Sequence, residues 1–493
     1  MDLKKFIIFD LGASNGRASV AAFDGKKFIL EEIYKFDNIP VFATGTLYWD
    51  FLKLFYELKS GLSFSHRKFK NIRSLGIDTW CADFGFIDKK GKLISNPIHY
   101  RDKKRNSITD EVYKIIPKEK LFKMTGFPPS SFDSIFNLYS LKLQDSTEYL
   151  NAYKFLMIPD LFNYFLTGST FNEYTSAHGS SLCSPFNKKW EYKIIDKLGF
   201  KRDIFCEILQ PGSKVGTVQK DIIDELGIKS IPVIATASHD TASAIAGIPS
   251  IDISKNKVCI SLGTWGITIK IIKEPIVTKE IFNSGYANEA GAGDEILLFK
   301  NFTGLWLIQQ CRKKWIKDKG KDISWDEIMN AAKNASPIGS FIDIDSEVFI
   351  FDQPDMPKTI REFCRYKGQK VPETTGEIAR IIYESIVLKI KQNLKILEEI
   401  TDKKLDFIQM VGGGTKDVLL CRWIADSTGL PLYAGPTETT STGNLLMQLK
   451  AAGEIKNLEE GRQISHNSSI IKNYTPVNKN LWDDLYLKFL KVL

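Results

Sequence analysis

The sequence predicts an α/β fold organised as two similar domains. Its 493 residues exceed what one ordinary core serves, and two domains of roughly 200 to 250 residues are the expectation for that length. Apolar strand-like runs alternate with stretches of helical periodicity, as sheet-and-helix layers require. One local pattern, an apolar strand, a turn of small residues and a second strand, opens the chain and recurs after residue 250.

The first strand is Phe6-Ile7-Ile8-Phe9, a continuous apolar run that ends at Asp10-Leu11-Gly12-Ala13-Ser14-Asn15-Gly16-Arg17. The stretch Ala18 to Phe23 follows, then the turn signal Asp24-Gly25 and a third strand-like stretch around Phe28 to Ile33, which together predict a three-stranded meander. Helical spacing marks Trp49 to Leu62. Strands are predicted at Ser74 to Asp78 and Asp83 to Ile87, the second turning at Lys90-Gly91, and helices near Thr109 to Ile116, Asn137 to Leu143 and Pro159 to Thr167. The run Pro232 to Thr236 reads as a buried strand that leads through Ala237-Ser238-His239 into a helix opening at Asp240.

In the second half, Val258 to Leu262, the turn Gly263-Thr264 and Trp265 to Ile269 repeat the opening pattern, so each domain is expected to present a phosphate-facing hairpin. Thr374 and Glu377 have capping-box spacing, and Ile378, Ile382, Ile386, Ile390, Leu394 and Leu397 mark one apolar face of a helix over Thr375 to Glu399. Leu405 to Val411 reads as a strand, Gly412-Gly413-Gly414 as a tight turn and Asp417 to Thr428 as a helix, a strand–glycine–helix corner of the kind that binds nucleotides.

Composition excludes several classes. Hydrophobic residues at 43% and charged residues at 26% are globular values. No run approaches the roughly 18 apolar residues of a membrane helix, and no signal-peptide pattern opens the chain, so no membrane partner and a cytoplasmic location are expected. The seven cysteines are scattered without a C-x-x-C pair, which argues for reduced thiols rather than a disulfide framework or zinc site. The net charge of +8 is dispersed among acids, not gathered into a basic stripe, so nucleic acid is not an expected partner. The chain also lacks both G-x-x-x-x-G-K-[ST] and a G-x-G-x-x-G between strand and helix, against P-loop and dinucleotide-binding enzymes.

Four segments carry candidate chemistry. Gly12 to Arg17 has the glycines and short side chains that let backbone N–H groups approach phosphate oxygens, and Asp10 before it is placed to hold Mg²⁺ through water, although such a hairpin is more often only a turn. Asp240, at a helix mouth after a buried strand, suits a general base that takes a hydroxyl proton, while by itself the commoner use of such an aspartate is as a cap. Gly76 to Asp83 and Tyr100-Arg101-Asp102 put polar groups and an aromatic at strand ends, ready either for sugar hydroxyls or for a structural ion pair and a core tryptophan.

Taken in order, these segments resemble the FGGY family of carbohydrate kinases, and within it the rhamnulokinases. The likeness covers nearly the whole chain. It is carried by Asp10 to Arg17, Gly76 to Trp80, Tyr100 to Asp102, Ile158 to Gly168, Ser238 to Ala244, Gly263 to Trp265, Leu298 to Asn301 with Gly304 to Leu307, Pro372 to Glu377, Gly412 to Gly414, and Ala434 to Pro436 through Gly443-Asn444. The resemblance implies two actin-like or ribonuclease-H-like domains, 1–247 and 248–493, with an interdomain ATP and sugar cleft. It implies transfer of the γ-phosphoryl of Mg·ATP to the 1-hydroxyl of L-rhamnulose, by a monomer or homodimer. Ala13, Ser14, Asn15, Gly16, Arg17, Thr264, Gln309, Gly413 and Gly414 would then contact ATP, with Asp10 near the metal. Asp240 would accept the proton, and Cys81, His239, Asp240, Thr241 and Asn301 would line the sugar. Cys81 is a departure, because the branch carries glycine after this tryptophan, and the larger side chain bears on which ketose fits. Kinases for L-fuculose or D-xylulose, an actin- or Hsp70-like ATPase without a sugar acceptor, and a silent sugar sensor are the rival readings.

Overall fold

In the computed structural model, which describes residues 3–103, 108–350 and 353–493, the run Phe6 to Phe9 is the middle of strand β1 (Lys4–Leu11), with all four side chains buried. A strand covered on both faces reads as a continuous apolar run because neither face meets water. Two compact units divide the chain. The first comprises Met1–Ile251, Ile271–Leu298 and Glu438–Ser469, and the second Asp252–Lys270, Phe299–Thr437 and Ile470–Leu493.

The predicted meander is β1, β2 (Asn15–Phe23) and β3 (Phe28–Asp37), paired antiparallel. Strands β4 (Ile72–Thr79) and β6 (Pro232–His239) add in parallel, and β5 (Ser213–Thr217) pairs antiparallel with β6. The resulting order is β5-β6-β4-β1-β2-β3. One face of this sheet shares a core with Leu54, Leu58 and Leu62 of the helix Phe51–Lys68 and with Leu161, Phe162 and Leu166 of the helix Ile158–Thr167. The first of these helices runs beyond its predicted end because Gly61, where periodicity weakens, is buried against Ala18 and Phe9. A second core, with Phe84, Phe136, Phe155, Tyr174 and Trp190, gathers mainly the segments between 84 and 205.

The second sheet has seven strands: Ala287–Ala290 at one edge, then β9-β8-β7-β10-β11-β12, where β7 is Lys257–Leu262, β8 Trp265–Ile272, β9 Ile296–Thr303, β10 Phe407–Val411, β11 Leu432–Ala434 and β12 Lys472–Tyr474. The β7–β8 hairpin is antiparallel, β10 and β11 add in parallel, and β12 closes antiparallel. Apart from the extra edge strand Ala287–Ala290, this is the strand scheme of the first unit. The repeat extends to packing, since a Cβ on Gly16 would sit 2.3 Å from the Phe36 ring and one on Gly266 2.2 Å from the Phe302 ring. The helix Thr375–Thr401 opens with the predicted capping box of Thr374 and Glu377. The triple glycine is a 3-10 turn, Gly413–Lys416, entered from Gly412 at φ +82°.

Candidate active site

The small-residue turn between β1 and β2 is held from outside by Asn38, whose side-chain amide donates to Gly12 O (2.9 Å) and whose N–H donates to Ser14 O (3.0 Å). Within the turn, Gly12 N–H donates to Asn15 O (2.9 Å). Ala13 and Ser14 form the tip, whereas Asn15, Gly16 and Arg17 already belong to β2. The strand register sets Asp10 opposite Arg17 on β2 and beside Asp78 on β4. The Arg17 guanidinium lies 3.5 Å from Asp10 Oδ2 and donates to Glu438 Oε2 at 2.8 Å. Burial pushes the Asp10 carboxyl up to about 6, against the opposing pull of Arg17 and with help from the charges of Asp240 and Glu438.

Asp78 is wholly buried. Asn444, on the helix Thr439–Ala451, donates to its Oδ2 at 2.6 Å, and its Oδ1 has no hydrogen-bond partner. Burial and then the charge of Asp10 raise it well above the usual carboxylate range. Gln448, one turn along that helix, donates to Asn444 Oδ1 (2.8 Å) and Ile7 O (2.9 Å) and accepts from Ser74 Oγ (2.7 Å). This buried polar network docks the helix on the sheet. Asp78 is therefore an interior group and not the exposed sugar ligand that its strand-end position allowed.

At the end of β6, His239 occupies the N-cap position of the helix Asp240–Ala246 without a side-chain capping bond, and Asp240 is the first helical residue, so Asp240 is not the cap. The Asp240 side chain is 35% exposed and accepts from Thr241 Oγ1 at 3.3 Å. Burial raises its carboxyl and the charge of His239 counters. The His239 ring sits between two carboxylates, Nδ1 at 2.9 Å from Glu289 Oε1 and Nε2 at 3.4 Å from Asp240 Oδ1. Its backbone N–H donates to Thr175 Oγ1 (3.1 Å), which donates in turn to the buried Glu173 (2.6 Å). Glu173 also accepts from the N–H groups of Thr175, Ser176 and Ser238, and burial pushes it up to about 7 against those bonds.

Cys81 follows β4, with Sγ 3.8 Å from Ser176 O. Burial and the charges of Glu289 and Asp240 hold its thiol protonated, which places it in the field of the same carboxylates. The bland reading wins at the neighbouring aromatics. Trp80 packs on Trp49, ring centroids 4.1 Å apart, and Asp83 Oδ2 accepts from both indoles and from Tyr100 N–H. Asp102 accepts from Leu47 N–H at 2.7 Å. These groups hold loops together.

In the second unit, Gly263 and Thr264 form the β7–β8 turn, and Thr264 Oγ1 donates to Gln309 Oε1 at 3.1 Å, so this predicted pair meets. Leu305 and Trp306 N–H donate to Gly263 O and Thr264 O, an approach that only glycine at 304 permits, because a Cβ there would lie 2.5 Å from Gly263 O. Gly412 and Gly414 pack on Leu262, while Gly413 faces open space. These glycines and the Gly263-Thr264 turn thus sit at the ends of neighbouring parallel strands. Asn301 is exposed on β9.

Sequence reasoning missed Glu173, Glu289 and Glu438, and singled out Asn444 only as part of a segment that carries the resemblance. Glu173 had a local signal, an acid followed by Thr175 and Ser176 with capping spacing. Glu289 had only the oddity of an acid in a small, apolar run, Ala287–Ala290. Among the described residues no group of three or more histidine, cysteine or carboxylate side chains is preassembled to hold a metal. Of the predicted residues, Asp10, a mostly buried carboxylate beside the turn, is the one that could meet a hydrated hard cation arriving with a nucleotide.

Comparison with known proteins agrees with this geometry. Residues 5–247 match the model of the N-terminal domain of the FGGY family of carbohydrate kinases, and residues 258–452 that of its C-terminal domain. The chain is 33% identical over 486 residues to a rhamnulokinase of Bacteroides thetaiotaomicron, covering 99% of both, and 34% identical to one of Halalkalibacterium halodurans, covering 95% of this chain and 98% of that one. Among solved structures, a xylulose kinase from Lactobacillus acidophilus superposes with a TM-score of 0.83 at 17% identity, and a gluconate kinase from the same organism with 0.82 at 17%, each covering 99% of this chain and 97% of the other.

Proposed function

The chain belongs to the FGGY family of carbohydrate kinases, and on that premise we propose that it transfers the γ-phosphoryl group of ATP to the 1-hydroxyl of L-rhamnulose, giving L-rhamnulose 1-phosphate and ADP. The observation that carries the chemistry is Asp240, a partly exposed carboxylate at a helix start, flanked by a histidine and a threonine and backed by Asp10. Similarity to rhamnulokinases over the full chain favours this ketose above others.

In this mechanism the ketose hydroxyl lies against Asp240, which takes its proton as the oxygen attacks phosphorus and the bond to the departing ADP breaks. Thr241 Oγ1 donates to Asp240 Oδ1, and His239 Nε2 lies 3.4 Å from the same oxygen. Backbone donors of the Ala13-Ser14 tip, with Asn15, Gly16 and Arg17 behind it, are assigned to the phosphates, and Thr264, Gln309, Gly413 and Gly414 to the nucleotide. Arg17 spends its charge on Asp10 and Glu438, so phosphate binding draws on it only as those contacts loosen. Mg²⁺, when bound, would neutralise charge on the phosphates near Asp10. Cys81, His239, Thr241 and Asn301, with Asp240, are assigned to the sugar. The cytoplasm, where ATP and reduced thiols coexist, is the proposed location. No described helix is long and apolar enough to cross a membrane.

A coupled ADP assay over L-rhamnulose, L-fuculose and D-xylulose tests the reading. L-rhamnulose is expected to give the highest kcat/KM. Preference for another ketose would move the protein within the family, and ATP hydrolysis indifferent to every sugar would remove the acceptor altogether.

A further inference from the structure

We propose that Arg462 is a positioning residue for phosphoryl transfer: its guanidinium, locked on Glu295, holds the far end of the helix Asp240–Ala246 and so sets where the Asp240 carboxylate stands. The proposal rests on the reading of Asp240 as proton acceptor.

The argument begins with the helix. Its seven residues make about two turns, well short of the roughly 12 to 15 residues at which a helix begins to stand alone in water. Its direction is therefore set by what holds its two ends. The start continues strand β6, where His239 pairs with Thr79 of β4. The other end meets the helix Leu458–Asn467. There Arg462 Nη2 donates to Ile245 O at 3.1 Å, Ser465 Oγ donates to Gly247 O at 2.7 Å, and Ser250 N–H donates to Arg462 O at 3.0 Å. Ile245 O lies in the last turn, whose carbonyls lack helical donors, and the N–H of Ile248 approaches it only to 3.5 Å. The guanidinium is its closer donor.

Arg462 can hold that position because it is itself held. The residue is 5% exposed, and its two terminal nitrogens fork onto Glu295, Nη1 to Oε1 at 2.6 Å and Nη2 to Oε2 at 2.8 Å. Glu295 closes the turn that begins at Gly291, whose N–H donates to Glu295 O at 3.0 Å. A Cβ on Gly291 would lie 2.9 Å from that oxygen, so the turn admits little movement. A planar fork fixes direction as well as distance, which a lysine ammonium in the same place does not. Burying such a pair is costly, and apolar residues of similar volume stabilise an interior as well or better. What an apolar pair would lack is the third bond, to Ile245 O. Because Glu295 balances its charge, Arg462 acts on Asp240 through place rather than through field.

Two variants of the full-length protein test this in the coupled ADP assay with L-rhamnulose. R462K keeps a cation opposite Glu295 but not the fork, and its kcat should fall about tenfold or more, as a shift of the reacting group by up to about 1 Å implies. The KM for ATP and the acid limb of the pH profile should stay where they are. E295L/R462M removes both charges together, so neither is left buried alone, and its melting temperature should remain near that of the wild type while its kcat stays low. A wild-type kcat in E295L/R462M overturns the proposal in favour of an ordinary structural ion pair, and so does a loss in R462K no larger than its loss of folded protein. Amide hydrogen exchange gives a reading independent of turnover. The N–H groups of Ala244 to Gly247 should exchange at least about tenfold faster in R462K, with those of β6 unchanged, and wild-type protection there is equally fatal. Should the double variant fail to fold, R462K and the exchange measurement decide alone. If no sugar supports ADP formation, or if D240N turns over like the wild type, the reading of Asp240 falls, while exchange still decides whether Arg462 holds the helix.

Discussion

The Asp240 carboxylate was legible because strand, small residues and helix start are adjacent in sequence, whereas Glu289, which completes its surroundings, arrives from a separate segment that no local pattern links to it. D240N is expected to lower turnover by about a hundredfold to ten-thousandfold, the usual worth of a general base, with ATP affinity by calorimetry little changed. Cys81 shows the opposite case, a residue whose neighbour matters more than its own chemistry. A Cβ on Gly179 would lie 1.9 Å from Cys81 Sγ, so G179A should destabilise the protein by about 1–3 kcal/mol in urea titration through overpacking. C81G in the same chain should recover most of it and widen the ketose range. His239 adds a pH signature to stability. The surrounding carboxylates hold it up to about 9, above the ordinary 6.5 of an imidazole, so its contribution is complete below about pH 6.5 and disappears as pH rises through about 9, a loss of roughly 1–3 kcal/mol. The melting temperature should fall between pH 7 and 9.5, and the fall should flatten in H239Q.

Among elements, those with a period, a cap or an unbroken apolar run were read correctly, and the shortest ones were not read. The helix Thr375–Thr401 announces itself by its capping box and a long apolar face, and the strand Phe407–Val411 by its apolar run. Five-residue helices such as Tyr174–His178 are too short to show a period, and strand order rests on pairings between distant segments. The β7–β8 hairpin makes an element-scale prediction. Gly304 lets Leu305 N–H reach Gly263 O at 2.7 Å, and a methyl group there would drive the turn away. G304A should therefore displace Thr264 from Gln309 and raise the KM for ATP roughly tenfold, about 1.4 kcal/mol, leaving the ketose KM near its starting value. An equal rise in both would mean that the turn does not serve the nucleotide.

For the molecule as a whole, the recurrence after residue 250 proves to be a repeated strand scheme, the same hairpin, parallel additions and antiparallel edge in each unit. What no local pattern announces is that the first unit is closed by residues from far down the chain. The helix Thr439–Ala451 packs on the helix Asp240–Ala246 so closely that a Cβ on Gly443 would lie 1.8 Å from Ser243 O, and its Asn444 and Gln448 supply the donors for Asp78 and Ile7 O. A fragment ending at Ile251 keeps all six strands of the first sheet yet loses these partners. Each buried polar group left unpaired costs about 1–3 kcal/mol, more where it is charged, and a unit with ordinary stability of about 5–15 kcal/mol does not survive several such losses together with the exposed apolar face. The fragment is expected to lack near-UV circular dichroism and a cooperative melt. Asn444→Leu in the intact chain gives the graded form of the same test, with an expected loss of about 2–4 kcal/mol, since it strips the donor from a buried carboxylate. A fragment that melts cooperatively, or an Asn444→Leu variant as stable as the wild type, would show that the sheet stands without its returning helix.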